Sequence, residues 1–326
     1  MLKYVAGLLG LAAVVASNAG RAQPADNPLP KGPISIVVPL APGGPADVIA
    51  RVLASKMSAR IGRTVIVDNK AGAGGNIGAA YVAHAPADGS TWLYTVDSVL
   101  TTNPWMYASQ GFDPAKDLIP VARVEDVLLM LAVNAKSIPA RSWPELVELS
   151  KTRPLAFGSA GVGSPGHLAL EYLKSVSPIQ ASHVPYRGAA LAMQDLLSGQ
   201  IDATFIVAGV LVPHVKSGAL RALAVSANAR IDALPDVPSA AEAGITGFEA
   251  RFSNLLLAPA GTPKPVRDFM AAQIAPILSD PEVRGKFDVM AETPTERHDE
   301  QDATAWVTQE RERWGRVIKS AGIKAE

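Results

Sequence analysis

The run Ile34-Ser-Ile-Val-Val-Pro39 opens the stretch ISIVVPLAPGGPADVIARVLASKMSARIGRTVIVDNKAGAGGNIGAAYVAHAPADGSTWLYTV, residues 34–96, and the rhythm of that stretch decides the fold. Ile34–Pro39 is a short β-branched run of the kind that makes a buried strand. From Val48 to Ile61 apolar residues recur at 48, 49, 52, 53 and 57, a helical period, and Gly62 stops it. Thr64–Val67 is a second strand. The glycine-rich loop Ala71–Gly78 leads into a second helix that ends near Ala85-Pro86, and Thr91–Val96 is a third strand. Short apolar strands alternating with amphipathic helices are the signature of an α/β unit with a mostly parallel sheet flanked by helices.

The alternation resumes further on. Leu128–Val133 reads as a strand, Pro144–Lys151 as a helix and Leu155–Gly158 as a strand. The loop Gly161–Gly166 and a helix from His167 to Ser175 follow. Ala181–Val184, Ala189–Ser198, Ile201–Val207, Leu211–Ser217 and Leu220–Val225 continue the pattern. Lys264–Lys319 reads as helical, with breaks at Pro276, Pro281 and Pro294. A chain of 326 residues at about 150 per domain holds about two domains. Two α/β units and a helical C-terminal segment fill that length.

Composition narrows the function. Lys and Arg number 30, Asp and Glu 30, and no long basic run offers a nucleic-acid footprint. With no cysteine there is no disulfide framework, thiolate metal site, iron–sulfur cluster or cysteine nucleophile. At the N-terminus Lys3 precedes the apolar run Val5–Ala16, then small and polar residues. That run suits a signal peptide and is too short to span a bilayer. Small residues place cleavage after Ala22 or Ala19, and no cysteine follows to carry a lipid anchor. Loss of Lys3 and Arg21 takes the formal charge from zero to −2. Residues 1–22 are therefore expected to be a signal peptide, and the mature chain an exported, soluble, periplasmic protein.

Three loops join the end of a strand to the start of a helix, the place where open α/β sheets bind ligands. In Leu40-Ala-Pro-Gly-Gly-Pro-Ala-Asp47, Pro45 suits the first helical position. The free amides and dipole of that first turn favour an anion. Gly43 and Gly44 allow close backbone approach, and Asp47 reads as a capping carboxylate. Gly72-Ala-Gly-Gly-Asn76 offers the same features plus a side-chain amide. Ser159-Ala-Gly-Val-Gly-Ser164-Pro165-Gly166 is the third, with Ser164 as N-cap. Enzyme motifs are missing: Ile77 breaks the dinucleotide glycine spacing, no phosphate-binding G-x-x-x-x-G-K-[ST] exists, and Val162 breaks the hydrolase elbow around Ser164. Of the five histidines, only His167 is spaced i, i+4 from an acid, Glu171, on a predicted helix, and a surface hydrogen bond accounts for that pair without a metal.

The segment Lys31–Tyr94, with VVPLAPGGPAD, DNKAGAGGNIGAAYVA and PADGSTWLY, resembles the substrate-binding proteins of tripartite tricarboxylate transporters, the Bug-type extracytoplasmic receptors. Asn103-Pro104, FGSAGVGSPGHLA, HVPYRGAA, SGQIDA, LRALAVS, LPDVPSAAEAG and WGRVIKSAGIKAE extend the resemblance over essentially the whole mature chain. It implies a two-lobed periplasmic-binding-protein-like fold of type II, with a hinge and a cleft that closes like a Venus flytrap. Lobe 1 is expected to comprise 30–126 plus 249–326 and lobe 2 127–248, because the helical tail has too few strands for a domain of its own. The family implies a small carboxylate as ligand: a dicarboxylate, an aromatic carboxylate, or an amino or hydroxy acid. It implies integral-membrane transporter subunits as partners, a monomer, no enzymatic activity, no cofactor and no metal. A receptor that signals to a sensor protein is the alternative, and an enzyme on the same scaffold a third.

The resemblance also assigns the loops. The first two hold one carboxylate through backbone amides and waters, and the third engages the ligand's other end. The candidate contacts are Leu40, Ala41, Pro42, Gly43, Gly44, Pro45, Ala46, Asp47, Gly72, Ala73, Gly74, Gly75 and Asn76 in lobe 1, with Asp97 and Ser98 after the third strand. Lobe 2 supplies Ser159, Ala160, Ser164, His167 and Asp202. Three departures from the family stand out. Leu40 replaces a frequent Phe, Ile206 replaces an acid four residues after Asp202, and Asp97 intrudes where small polar residues are usual. Asp97 either recognises an amine or hydroxyl on the ligand, or faces away and caps the helix Ser98–Leu100.

Overall fold

The computed structural model describes residues 27–226, 229–248 and 250–324. The signal peptide assigned to residues 1–22 lies outside them. β1 (Ile34–Val38) runs into α1 (Pro45–Ile61), which Gly62 ends at φ 65 with its amide returned to the carbonyl of Ser58. β2 (Val65–Asn69), α2 (Asn76–Ala83), β3 (Thr91–Val96) and two single turns, α3 (Ser98–Thr101) and α4 (Asn103–Met106), follow. β4 (Leu118–Val127) leads directly into β5 (Leu129–Asn134). Then come α5 (Trp143–Thr152), β6 (Leu155–Ser159), α6 (Pro165–Val176), β7 (Ala181–Pro185), α7 (Ala189–Ser198), β8 (Ala203–Val207), α8 (Ala208–Lys216) and β9 (Leu220–Val225). The chain returns through β10 (Phe252–Pro259) to α9 (Lys264–Leu278), α10 (Pro281–Met290), β11 (Thr293–Pro294) and α11 (Glu300–Ala321).

These strands form two sheets, ordered β11-β4-β10-β3-β1-β2 and β7-β6-β8-β5-β9. In the first, β1 pairs parallel with β2 and β3, whereas β10 is antiparallel to β3 and β4. In the second, β6 pairs parallel with β7 and β8, and β5 is antiparallel to β8 and β9. Each sheet is thus a set of strands running one way with one strand, β10 or β5, inserted against them; the two-residue β11 also runs against β4 at the edge of the first sheet. The two inserted strands make the α/β fold two-lobed, because the chain passes between sheets at β4–β5 and again before β10.

Side chains alternate across each sheet with the period of two that strands impose. Ile34, Ile36 and Val38 face a core with Ile49, Leu53 and Met57 of α1 and Met270 and Ile274 of α9. Val37 faces the opposite core with Leu93, Leu255 and Trp306. In lobe 2, Leu129, Leu131 and Val133 pack with Phe157 and Phe205, while Met130 and Ala132 pack with Ile206 and Leu211.

Two expectations change. Pro276 does not break the tail but sits in the last turn of α9, and Pro294 lies in β11 beside β4. The tail also does not belong to lobe 1 alone. α9 packs on lobe 1, and α11 starts there through Trp306, but its Trp314, Val317 and Ile318 enter the core of lobe 2. A helix of 22 residues is about 33 Å long, enough to reach both sheets.

Candidate functional site

The three glycine loops sit where the sequence places them, after β1, β2 and β6. In the first, Asp47 is buried and folds the loop. Its Oδ2 accepts the amide of Gly43 (2.9 Å) and Nε of Arg51 (3.0 Å), and its Oδ1 accepts Nδ2 of Asn69 (2.9 Å). Burial alone would raise the Asp47 pKa, but the bonds from Arg51, Gly43 and Asn69 outweigh it and hold the carboxyl below its usual range. Asp47 is therefore ionised and fully engaged within the loop. Leu40, Ala41, Pro42 and Gly43 stay exposed, Gly44 is the N-cap and Pro45 opens α1. The first-turn amides of Ala46 and Asp47 have no intrahelical acceptor, as at any helix start.

The second loop carries four consecutive positive φ values: Gly72 (134°), Ala73 (49°), Gly74 (62°) and Gly75 (93°). Glycine suits this left-handed backbone at three of them, and Ala73 is held there at some cost. A Cβ on Gly75 would lie 3.0 Å from Val99. Asn76 is buried. Its Oδ1 accepts Nδ2 of Asn103 (2.8 Å) and Nε2 of Gln110 (2.9 Å), and its own Nδ2 has no acceptor. Asn103 also donates to the carbonyl of Gly74 (3.0 Å). The α3–α4 segment therefore fixes this loop, a role that sequence reading passed over even though Asn103-Pro104 was visible. Ser98 opens that segment and is buried.

In the third loop Ser164 is the N-cap of α6, accepting the amide of His167 (3.4 Å), with Pro165 at the first helical position. Ser159 Oγ accepts the amide of Gly161 (3.1 Å) and donates to the Gly161 carbonyl (3.0 Å). The ring of His183, which sequence reading missed, reaches the same Oγ through Nε2 at 2.6 Å. His167 does not pair with Glu171, which binds Lys174 instead (2.9 Å). His167 Nδ1 accepts the amide of Gly163 (3.0 Å), and its ring stacks on His183 at 3.9 Å and 12°. Burial, followed by the neighbouring imidazole, pushes His183 down to about 4; burial likewise lowers His167. The carbonyls of Ser159 and Ala160 accept the amides of Tyr186 and Gly188. Across the lobes, a Cβ on Gly163 would lie 3.0 Å from the methyl of Met106.

Two expected contacts are elsewhere. Asp97 neither faces the cleft nor caps α3: it is fully buried, makes no capping bond, and its Oδ2 accepts the indole N–H of Trp306 (2.6 Å). Trp306 draws it inward because a buried indole needs an acceptor. Asp202 lies at the opposite end of the second sheet from the third loop. It accepts both guanidinium arms of Arg153 (2.7 Å each) and the amide of Ala156, at the start of β6, whereas the loop begins at its end with Ser159.

A cavity of about 680 Å³ lies beside the crossing strands, walled by Arg123, Trp306, Arg251, Arg230 and Glu292 among others, and by none of the three loops. Three of its four arginines already hold carboxylates: Arg123 binds Asp126 and Asp302, Arg230 binds Glu242, and Arg251 binds Glu310, with Arg284 the fourth. It is an ion-paired crevice and a poorer anion seat than the loops. Among the described residues no group of three acidic or histidine side chains is placed to hold a metal, and no helix is long and apolar enough to cross a membrane.

The family described as tripartite tricarboxylate transporter family receptor matches residues 49–323. A UPF0065 protein of Bordetella bronchiseptica is 36% identical over 295 residues, 90% of this chain and 87% of that protein. The periplasmic binding protein BugD has a similar structure, with TM-score 0.81 and 33% identity over 91% of this chain and 100% of that one. Rpa4515 of R. palustris, solved with adipate, reaches TM-score 0.83 at 33% identity, covering 90% and 99%. MatC of Rhodopseudomonas palustris, with bound malate, reaches 0.80 at 28% identity, covering 89% and 100%. Matched over residues 49–323 and 36% identical to a relative across nine tenths of its length, this chain belongs to the tripartite tricarboxylate transporter family of receptors.

Proposed function

We propose that this protein is a periplasmic receptor that closes its two lobes, as a monomer, on a small carboxylate-bearing molecule and delivers it to the membrane subunits of a tripartite tricarboxylate-type transporter. The observation that carries this reading is the set of three glycine loops at the carboxyl ends of strands, two in lobe 1 and one in lobe 2. Their special residues are glycines and N-caps that orient backbone donors, which favours binding over catalysis. The contacts we assign are Leu40–Ala46, Gly72–Asn76, Ser98, Ser159, Ala160 and Ser164, with Asp47 and His167 shaping their loops. Arg187, exposed between two residues whose amides hold the third loop, adds a formal positive charge on that side. A ligand with a second carboxylate suits that arrangement, and the adipate and malate of the related structures belong to this class. The apolar run Val5–Ala16 supports export.

A thermal-shift screen with adipate, malate, aspartate and benzoate tests the reading. A ligand at 100 times its Kd adds about 2.7 kcal/mol of stability. Gly75→Val should abolish the shift, since it adds bulk against Val99 at a left-handed position. Gly43→Val is the companion: its Cβ meets no neighbour within 4 Å, so only φ 85 and the approaching ligand oppose it. If both variants fold and bind like the parent chain, the loops are not the site. Asp97→Asn should leave affinity for malate and aspartate alike, because the residue lies buried against Trp306. Calorimetric titration showing opposite changes for the two ligands would return Asp97 to the cleft.

A further inference from the structure

The hydrogen bonds of the third loop fix the tautomer of one imidazole, His167. Ser159 has one hydroxyl proton and two acceptors within reach, the Gly161 carbonyl at 3.0 Å and His183 Nε2 at 2.6 Å, so either tautomer of His183 satisfies it. Nδ1 of His167 receives the Gly163 amide, so it must carry no proton, and the ring's hydrogen sits on Nε2. The two rings lie flat on each other at 3.9 Å. A charge on either opposes a charge on the other, in surroundings that already disfavour both. The other charged groups acting on the pair are Glu171 and Lys174, held in a 2.9 Å ion pair on α6: the acid favours a charged His167, and the amine opposes charge on both rings.

The consequences of protonation differ between the rings. A charged His183 carries a proton on Nε2 whichever tautomer it starts from, and donates it to Ser159 while the hydroxyl turns to the Gly161 carbonyl, so that contact survives. A proton on His167 Nδ1 sets a donor against the Gly163 N–H and breaks that bond. Gly163 has φ 75 and lies against Met106 of the other lobe, so its release alters the loop at the point where the lobes meet.

We infer that His167 is a proton-sensitive positioning residue: its bare Nδ1 holds Gly163, and burial beneath the stacked ring of His183 keeps that nitrogen bare, so that lobe 2 presents its loop to the carboxylate only while the His167 ring is uncharged. This rests on the reading of the loops as the ligand site, but its central step is tested without ligand. In the ligand-free chain, nuclear magnetic resonance should show the Gly163 amide moving with the same midpoint as the His167 ring, below the ordinary imidazole value of 6.5. His167→Gln keeps an acceptor for Gly163 that cannot be protonated in this range, and its Gly163 amide should stay still. His167→Leu should show the released position at every pH. A Gly163 amide that ignores the ring titration, or that titrates alike in His167→Gln, overturns the inference.

The same variants carry the binding test, with adipate and malate as probes. Between pH 7 and pH 4.5 the parent chain should lose about tenfold more affinity than His167→Gln, the equivalent of one hydrogen bond. Comparison at equal pH cancels the titration of the ligand itself. Equal losses in both chains overturn the inference. Failure of Gly75→Val and Gly43→Val to affect binding would instead remove the site, while the Gly163 titration still decides the anchor.

Discussion

Raising the pH from 7 to 9 should lower the unfolding temperature of this protein, and Glu292→Gln should remove most of the loss. The cause is a pair of buried carboxyls at the junction of β4 and β11. Glu125, on β4, accepts the hydroxyl of Tyr94 and Nδ2 of Asn254 (2.7 Å) through one oxygen. Its other oxygen has no partner, and neither does Oε2 of Glu292. Two acceptor-only groups face a common deficit, which a proton on one of them relieves. Burial pushes Glu292 up to about 8; burial and then the charge of Glu292 push Glu125 well above its ordinary value. Burial raises Asp97 in the same direction.

The sign follows from which state ionises first. In the unfolded chain these groups lose their protons near 4, and in the folded chain Glu292 keeps its proton to about 8. The unfolded state therefore binds fewer protons across that interval. The stability contributed is complete below the unfolded values and is lost as pH rises through the folded ones. For Glu292 alone the effect is on the order of a few kcal/mol across that interval, of which about 1 kcal/mol falls above pH 7. The imidazole pair acts oppositely: its values are lowered, so its contribution is present above 6.5 and lost as pH falls toward 4. Above pH 7 only the carboxyls remain in play. Thermal unfolding followed from pH 7 to 9 in both chains decides the matter: a flat or rising profile, or an equal slope in Glu292→Gln, rejects the shared-proton account.

The parts of the fold that could be read in the sequence are those whose cause is local. β1, α1 and β3 declare themselves by period and by Gly62, and α7 and β9 match their apolar runs residue for residue. The glycine loops were legible for the same reason, since left-handed backbone at Gly72, Gly74 and Gly75 requires the residue found there. β4 and β10 were not read as strands. β4 contains Pro120 and three charged residues, and β10 is buried along its whole length, so neither shows an alternating pattern. Their place in the sheet is set by partners over 100 positions apart.

Side-chain roles were legible only where they act on neighbouring backbone. Ser164 could be recognised as a cap from four residues of sequence. Asp97 could not be assigned, because its partner Trp306 stands 209 positions away. His183 escaped notice for the same reason: its significance lies in Ser159 and His167, brought together by the pairing of β6 with β7. A charge near a cleft in sequence is no guide to its direction. In this chain the acid that intrudes after the third strand ties the C-terminal helix to the sheet.

That helix gives the second large effect. Trp314→Ala should destabilise the protein by about 3–5 kcal/mol, the usual cost of removing a buried indole. The damage should fall on lobe 2, although the residue belongs to a tail that follows the last strand of lobe 1. Trp314 is fully buried, stacked on Phe252 at 4.9 Å and edge-on to Tyr172 at 6.0 Å. Tyr172 meets Phe248 at 5.4 Å, and Phe248 meets Phe205 at 5.5 Å, so the indole links Phe252 of β10 to an aromatic chain running into the second sheet. Two turns earlier, Trp306 packs with Val37 and Leu93 of lobe 1 and beneath Arg123 at 3.9 Å. Trp306→Ala should therefore loosen the other lobe. Hydrogen exchange separates the two: Trp314→Ala should cost protection chiefly in β5, β6, β8 and α6, and Trp306→Ala chiefly in β3 and α3. Uniform loss across both sheets in either variant would mean the lobes unfold as one unit. Loss confined to β1–β3 in Trp314→Ala would return the whole tail to lobe 1. A helix anchored separately in each lobe resists their separation but tolerates rotation about its own middle, which is the freedom that closure of a cleft requires.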